Sequence, residues 1–166
     1  MSEMQPADFL SLSIEISITI TGFSGIVIVL GRRAMGDWSP KDRVQLRALL
    51  VTSITPIAFA ALGLFLLTTE IPLSYVWRIS SVFHVASFAL QASTGIRRAK
   101  KLLKDDFDLA GSVLLIGAIL IALLGIANAL VFAAFWPFAL VLVWLIGVSI
   151  LNFVQLLWRA TVEGLT

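Results

Sequence analysis

Three side chains in a mostly apolar chain are able to carry chemistry: the carboxylate of Glu15, the guanidinium of Arg78 and the imidazole of His84, the sole histidine. Two of them share one stretch, Pro72–Gly95 (PLSYVWRISSVFHVASFALQASTG), long enough to cross a bilayer as a helix. A charged side chain at the centre of a membrane helix costs about 2.5–3.5 kcal/mol, so one kept there usually faces a partner or a water-filled cavity. On a helix Ser74, Arg78, Ser81, His84, Ser87, Gln91 and Thr94 step by threes and fours and form one slanting polar stripe. An imidazole exchanges protons near neutral pH. The combination points to holding or passing an ion or a proton inside a membrane.

Bond-making chemistry lacks its usual residues. The chain has no cysteine, which removes disulfides, thiolate catalysis and Cys-based metal or iron–sulfur sites. One histidine cannot build a His-rich metal site, and neither HExxH, a P-loop nor GxGxxG occurs. No lysine falls inside an apolar stretch, so a Schiff-base site is excluded. No enzyme activity, metal or cofactor is expected. Composition says where the chain works: it is 59% hydrophobic and 13% charged, against about 45–50% and about 25% in soluble domains. That is an integral membrane protein. The net charge of +2 comes from basic residues flanking apolar runs, which reads as a topology signal and not as nucleic-acid binding.

Five apolar stretches position these side chains, at about residues 9–30, 46–67, 72–95, 109–133 and 136–158, each near the ~20 residues a bilayer needs. The third continues as helix to about Lys104 before RRAKKLLKDDFD breaks near Asp105–Asp106, and Asp108 caps the fourth. The expected fold is an all-α, five-transmembrane-helix bundle, one membrane domain over residues 1–166. Arg32, Arg33, Lys41 and Arg43 lie between the first two stretches, and Arg97, Arg98, Lys100, Lys101 and Lys104 between the third and fourth. Short loops rich in Lys and Arg stay cytoplasmic. The amino terminus is therefore expected outside and the carboxyl terminus inside, in a multi-pass protein of the plasma or inner membrane. The acidic start MSEMQPADF lacks the basic run of a secretory signal, so the first stretch is expected to be retained.

The first stretch carries a conflict. From Leu10 to Thr21 it alternates apolar and polar, the two-residue period of a strand. A lone strand in lipid leaves its backbone unpaired, so a helix is expected. Its polar residues then split into two lines, Ser11, Glu15, Thr19 and Gly22, and Ser13, Ser17, Thr21 and Ser24, which suits burial on both sides. In the second stretch Ser39 and Pro40 start a helix, and Pro56 kinks it, with Thr52 and Thr55 at hand for the freed carbonyl. Ala118, Ala122, Gly125, Ala129 and Ala133 mark a ridge for close packing on the fourth. The AFWP corner places Pro137 in the first turn of the fifth, with Trp136 and Trp158 as interfacial residues.

Depth sorts the polar residues into levels, at about 1.5 Å per residue. Glu15 and Arg78 each lie about six residues in from the outer side and are expected to pair, with Asn128 as an extra partner. Thr19, Pro56 and His84 fall near mid-membrane, and Gln91, Asn152 and Gln155 form an inner vestibule. The reading that joins these levels is a homo-oligomeric ion or proton channel, or a transporter-like pathway. The competing reading is a non-transporting signalling or scaffold module, or a membrane-permeabilising effector, working through its basic loops. Under that reading Arg32, Arg33, Arg97, Arg98, Lys100 and Lys101 meet a partner or anionic lipid headgroups.

Overall fold

The computed structural model describes residues 5–35, 40–102 and 109–162, and their side chains except at 27–35, 40–45, 94–102, 109–112, 156 and 159–162. Five α-helices follow one another: α1 (Pro6–Met35), α2 (Pro40–Leu67), α3 (Leu73–Leu102), α4 (Leu109–Ala127) and α5 (Phe135–Val162). A π-helical turn, Asn128–Phe132, extends α4. Among the described residues there is no strand, so the alternating pattern of α1 resolves as helix. A helix satisfies its own backbone, and a lone strand does not. The expected caps at Ser39 and Asp108 and the break near Asp105–Asp106 lie outside the described residues.

Four segments are long and apolar enough to cross a membrane: Pro6–Ile26, Leu46–Leu67, Val113–Phe132 and Phe135–Gln155. The thirty residues of α3 match α1 in length, but its polar stripe lowers its apolar character, and it is not among the four. These four apolar spans make the chain a membrane protein.

The chain divides into two compact units. The first comprises α1, α2 as far as Leu64, and α5 from Leu142 onward. Its buried residues include Leu10, Leu49, Phe59, Ala60 and Leu142 together with Ser13, Ser17, Ser24, Ser53 and Ser149. Buried hydroxyls are costly unless bonded. Here each donates to the carbonyl one turn back, with Ser13 bonding Phe9 O at 2.8 Å, Ser17 bonding Ser13 O at 2.7 Å and Ser24 bonding Ile20 O at 2.6 Å. Ser53 and Ser149 do the same toward Leu49 O and Leu145 O.

Pro56 is fully buried inside a continuous α2. Its missing N–H frees the carbonyl of Thr52. The hydroxyls expected to serve that carbonyl are used elsewhere: Thr52 bonds Ala48 O at 2.9 Å and Thr55 bonds Val51 O at 2.6 Å. Back-bonding wins because in each case the acceptor is the carbonyl one turn back along the same helix.

The second unit is Phe65–Val141. Thr68 and Thr69 close the end of α2 by donating backbone and hydroxyl hydrogens to Phe65 O and Leu66 O. Pro72 O then accepts the N–H of Tyr75 at 2.9 Å, which starts α3. Within this unit α3 packs on α4 and on the π-helical turn. Trp77 of α3 stacks at ring-centroid distances of 5.0 Å on Phe135 and 6.1 Å on Phe138, both at the start of α5. Pro137, in that first turn, is buried, and it occupies a position where a proline ring costs a helix no hydrogen bond.

Candidate functional site

The second unit holds a buried polar cluster. Ser80, Ser81 and His84 of α3 and Asn128 of the π-helical turn are each at most 3% exposed. Asn128 is its centre. Its Nδ2 donates to Ser81 Oγ at 2.8 Å and to the carbonyl of Ala134 at 3.0 Å, while its Oδ1 accepts the N–H of Ala134 at 2.9 Å. The Asn128 carbonyl also accepts the N–H of Ala133 at 2.9 Å. One amide thus ties α3 to the turn that leads into α5. The clasp serves Ala133, the only non-glycine residue with positive φ among those described (φ 48, ψ 40). A left-handed alanine costs about 1–2 kcal/mol, and the bonds on either side hold it there.

This geometry changes the expected part of Asn128. Both of its amide hydrogens are already taken inside the second unit, so it has none left for Glu15 or Arg78. The reason is local: where the π turn and Ala133 interrupt the helix, Ala134 N–H and C=O need partners, and an amide supplies both at once.

One helical turn from Ser81 lies His84, buried against Gly125 of α4. A Cβ at position 125 would stand 2.9 Å from His84 Cδ2 and 3.1 Å from Val85 Cγ2. Glycine fits there because α3 and α4 approach so closely that an added Cβ would force the His84 ring or Val85 to shift. The small-residue ridge of α4 performs this role where Ala122 and Gly125 are buried. The backbone of Ile121 lies against the imidazole. Ser80 Oγ is buried without a hydrogen-bond partner among the described residues.

The polar stripe on α3 does not stay on one side. Ser81 and His84 are buried, Ser87 is half-buried, and Ser74, Arg78 and Gln91 are exposed. A stripe that slants around a helix cannot all face one neighbour.

In the first unit the two polar lines of α1 part. Ser13, Ser17 and Ser24 are buried and Thr21 is half-buried; Ser11, Glu15, Thr19 and Gly22 are exposed. At about 100° per residue, Ser11, Thr19, Gly22 and Ile26 all fall within about 40° of Glu15, and the buried serines fall on the opposite side. The Thr19 hydroxyl bonds Glu15 O at 2.8 Å. Glu15 therefore points away from the core of its own unit while lying inside the apolar span Pro6–Ile26.

On α5, Asn152 and Gln155 are half-buried, and Trp136 and Trp158 are exposed as interfacial residues would be. The basic residues Arg32, Arg33, Arg97, Arg98, Lys100 and Lys101 lie on α1 and α3, but their side chains are outside those described. Among the described residues no group of three His, Asp or Glu side chains gathers as metal ligands would.

Sequence reasoning missed the π turn, the Asn128 clasp and the Gly125–His84 contact. The available signal was an asparagine six residues before the start of the A-F-W-P corner, where helix-end backbone groups need partners.

No protein-family profile, curated protein or solved structure matches the chain. Its class is defined by its own chemistry, an α-helical membrane protein with one buried polar cluster centred on Asn128 and one outward polar line.

Proposed function

We propose that the protein is a small multi-pass channel or transporter-like protein of the plasma or inner membrane, working as a homo-oligomer that gives an ion or a proton a polar route. In this reading five helices cross, α3 among them, with the amino terminus outside and the basic connections inside. The observation that carries it is the outward setting of Glu15. A carboxylate turned to hydrocarbon costs about 2.5–3.5 kcal/mol by analogy with aspartate at a helix centre. A second protein surface or a water-filled path removes that cost. Glu15 and Arg78 then belong to the outer mouth, His84 is the proton-exchanging group at mid-membrane, and Gln91, Asn152 and Gln155 line the inner mouth.

The test is flux from liposomes holding the purified protein. Glu15→Gln and His84→Ala are expected to change ion or proton flux while the oligomer stays intact. Absence of flux under every gradient and pH, with folded protein in the bilayer, would sink the proposal.

A second reading, a non-transporting signalling or scaffold module, is favoured by a different observation. The hydroxyls of Ser13, Ser17, Thr19, Thr21 and Ser24 on α1 bond their own backbone, and Asn128 is consumed by the corner, so these polar groups serve packing. That reading requires partner or lipid binding to fail when Arg97, Arg98, Lys100 and Lys101 are neutralised, with flux absent throughout.

A further inference from the structure

A groove runs along the first unit between α1 and α5, with a volume of about 310 Å³. Leu12, Ser13 and Ile16 form one wall, and Val143, Gly147 and Ile150 form the other. Its lining is apolar apart from Ser13, and Gly147 leaves open space where a side chain would stand. Leu12 and Ile16 lie about 60° and 100° around α1 from Glu15, so the groove opens directly beside the outward carboxylate.

We propose that this face of α1, with its groove, seats α3 of a second copy of the chain, and that Glu15 of one copy pairs there with Arg78 of the other. The inference rests on the homo-oligomeric reading above and names its interface. In this arrangement the carboxylate of each copy is met by the guanidinium of its neighbour.

Charge selects the occupant. A lipid acyl chain fills an apolar groove but offers no donor to a carboxylate. The occupant needs an apolar ridge with a cation set into it at the right level. The α3 helix of this same chain has that pattern: Arg78 is exposed, and Tyr75, Ile79 and Val82, all within about one turn of it, are exposed apolar side chains. A guanidinium also suits the task, because its forked donors match a carboxylate and it sheds water more readily than an ammonium.

Level agrees as well. Two crossings, α1 and α2, return the chain to the side where it began, so α3 starts on the side where α1 starts. Glu15 is nine residues from the start of α1 and Arg78 five from the start of α3. The difference of four residues is about 6 Å along the helix axis, which a long, flexible arginine stem spans. Copies related by an axis along the membrane normal keep these levels fixed, so the match holds from one copy to the next.

The absence of native cysteine makes the contact directly testable. Two differently tagged full-length copies, one Glu15→Cys and one Arg78→Cys, are reconstituted together in phosphatidylcholine vesicles and treated with a short bifunctional thiol crosslinker. Crosslinking between unlike copies is expected at about tenfold or more over that between like copies, because helix axes about 8–10 Å apart with an offset of about 6 Å put the two thiols within a short linker's reach. Leu12→Cys with Tyr75→Cys repeats the test with both charges in place. In a third arm, Glu15→Arg or Arg78→Glu alone lowers the oligomeric fraction, and the two together in one chain restore it. Crosslinks confined to like copies, or none in folded protein, overturn the interface. Unlike-copy crosslinks without any flux uphold the interface and overturn conduction; flux without such crosslinks overturns the interface alone.

Discussion

Asn128 and Glu15 are both strongly polar residues set into apolar helices, yet their surroundings are opposite. Asn128 is fully buried, and both its amide hydrogens and its carbonyl oxygen are matched within its own unit. Glu15 also lies in an apolar span, but its face holds exposed Ser11, Thr19 and Gly22, and its carboxylate is turned away from its own core. An amide has as many donors as acceptors and can be satisfied by one broken stretch of backbone. A carboxylate only accepts, and it needs a cation, a proton or water. The difference separates polar groups that hold a fold together from polar groups that ask for something outside it. The first kind is expected to matter for stability, the second for assembly and flux.

The largest effect that would test this division is at Asn128. Asn128→Leu removes the clasp and leaves Ser81 Oγ and both backbone groups of Ala134 without their partners. A loss of about 3 kcal/mol is expected from the cost of unsatisfied buried groups, read by denaturant unfolding in detergent. A change near zero would mean that water replaces the amide and that the cluster is wet.

Gly125→Ala comes next. The added Cβ meets a ring atom of His84 at 2.9 Å, and a ring packed on a buried face has little room to yield. Overpacking of this kind costs about 1–3 kcal/mol. Pairing it with His84→Ala sharpens the point: the double variant should lose less than the sum of the singles, because the clash disappears.

Adjacent serines give a finer contrast. Ser81→Ala forfeits the bond from Asn128 and should cost about 1 kcal/mol, whereas Ser80→Ala removes a buried hydroxyl that has no partner among the described residues and should be neutral or stabilising. If the two substitutions behave alike in the same unfolding assay, the hydrogen-bond assignment at this corner is wrong.

Glu15→Gln is expected to have the smallest effect on stability, within about 0.5 kcal/mol for an isolated copy in detergent, while altering flux and oligomer formation in a bilayer. Unfolding of the isolated copy by this substitution would place Glu15 with Asn128 as part of the fold, and the comparison would collapse.

Much of the local structure was readable from residue order. The serines and threonines of α1 were separable into two lines by helical period alone, and the strand-like alternation from Leu10 to Thr21 yielded to the requirement that backbone groups be paired in lipid. The corner at Pro137 was equally legible. The use of Asn128 was not, because its partners at Ala134 become available only once a π turn and a left-handed Ala133 interrupt the helix. The destination of the Thr52 and Thr55 hydroxyls was missed for a related reason. Sequence names nearby donors, but rotamer geometry decides which carbonyl receives them.

By itself the amino-acid sequence determined a membrane protein built from helices, with ionisable groups at Glu15, Arg78 and His84 and no means of thiol chemistry or His-rich metal binding. It also determined that α1 has two polar lines and that α3 has a stripe. Only the tertiary structure decided which line of α1 turns inward, where the stripe of α3 becomes buried, and that Gly125 makes room for His84. Periodicity is a property of one helix and fixes angles between its own residues. Burial depends on which neighbours cover that helix, and α2, α3, α4 and α5 reach those positions only when the chain folds.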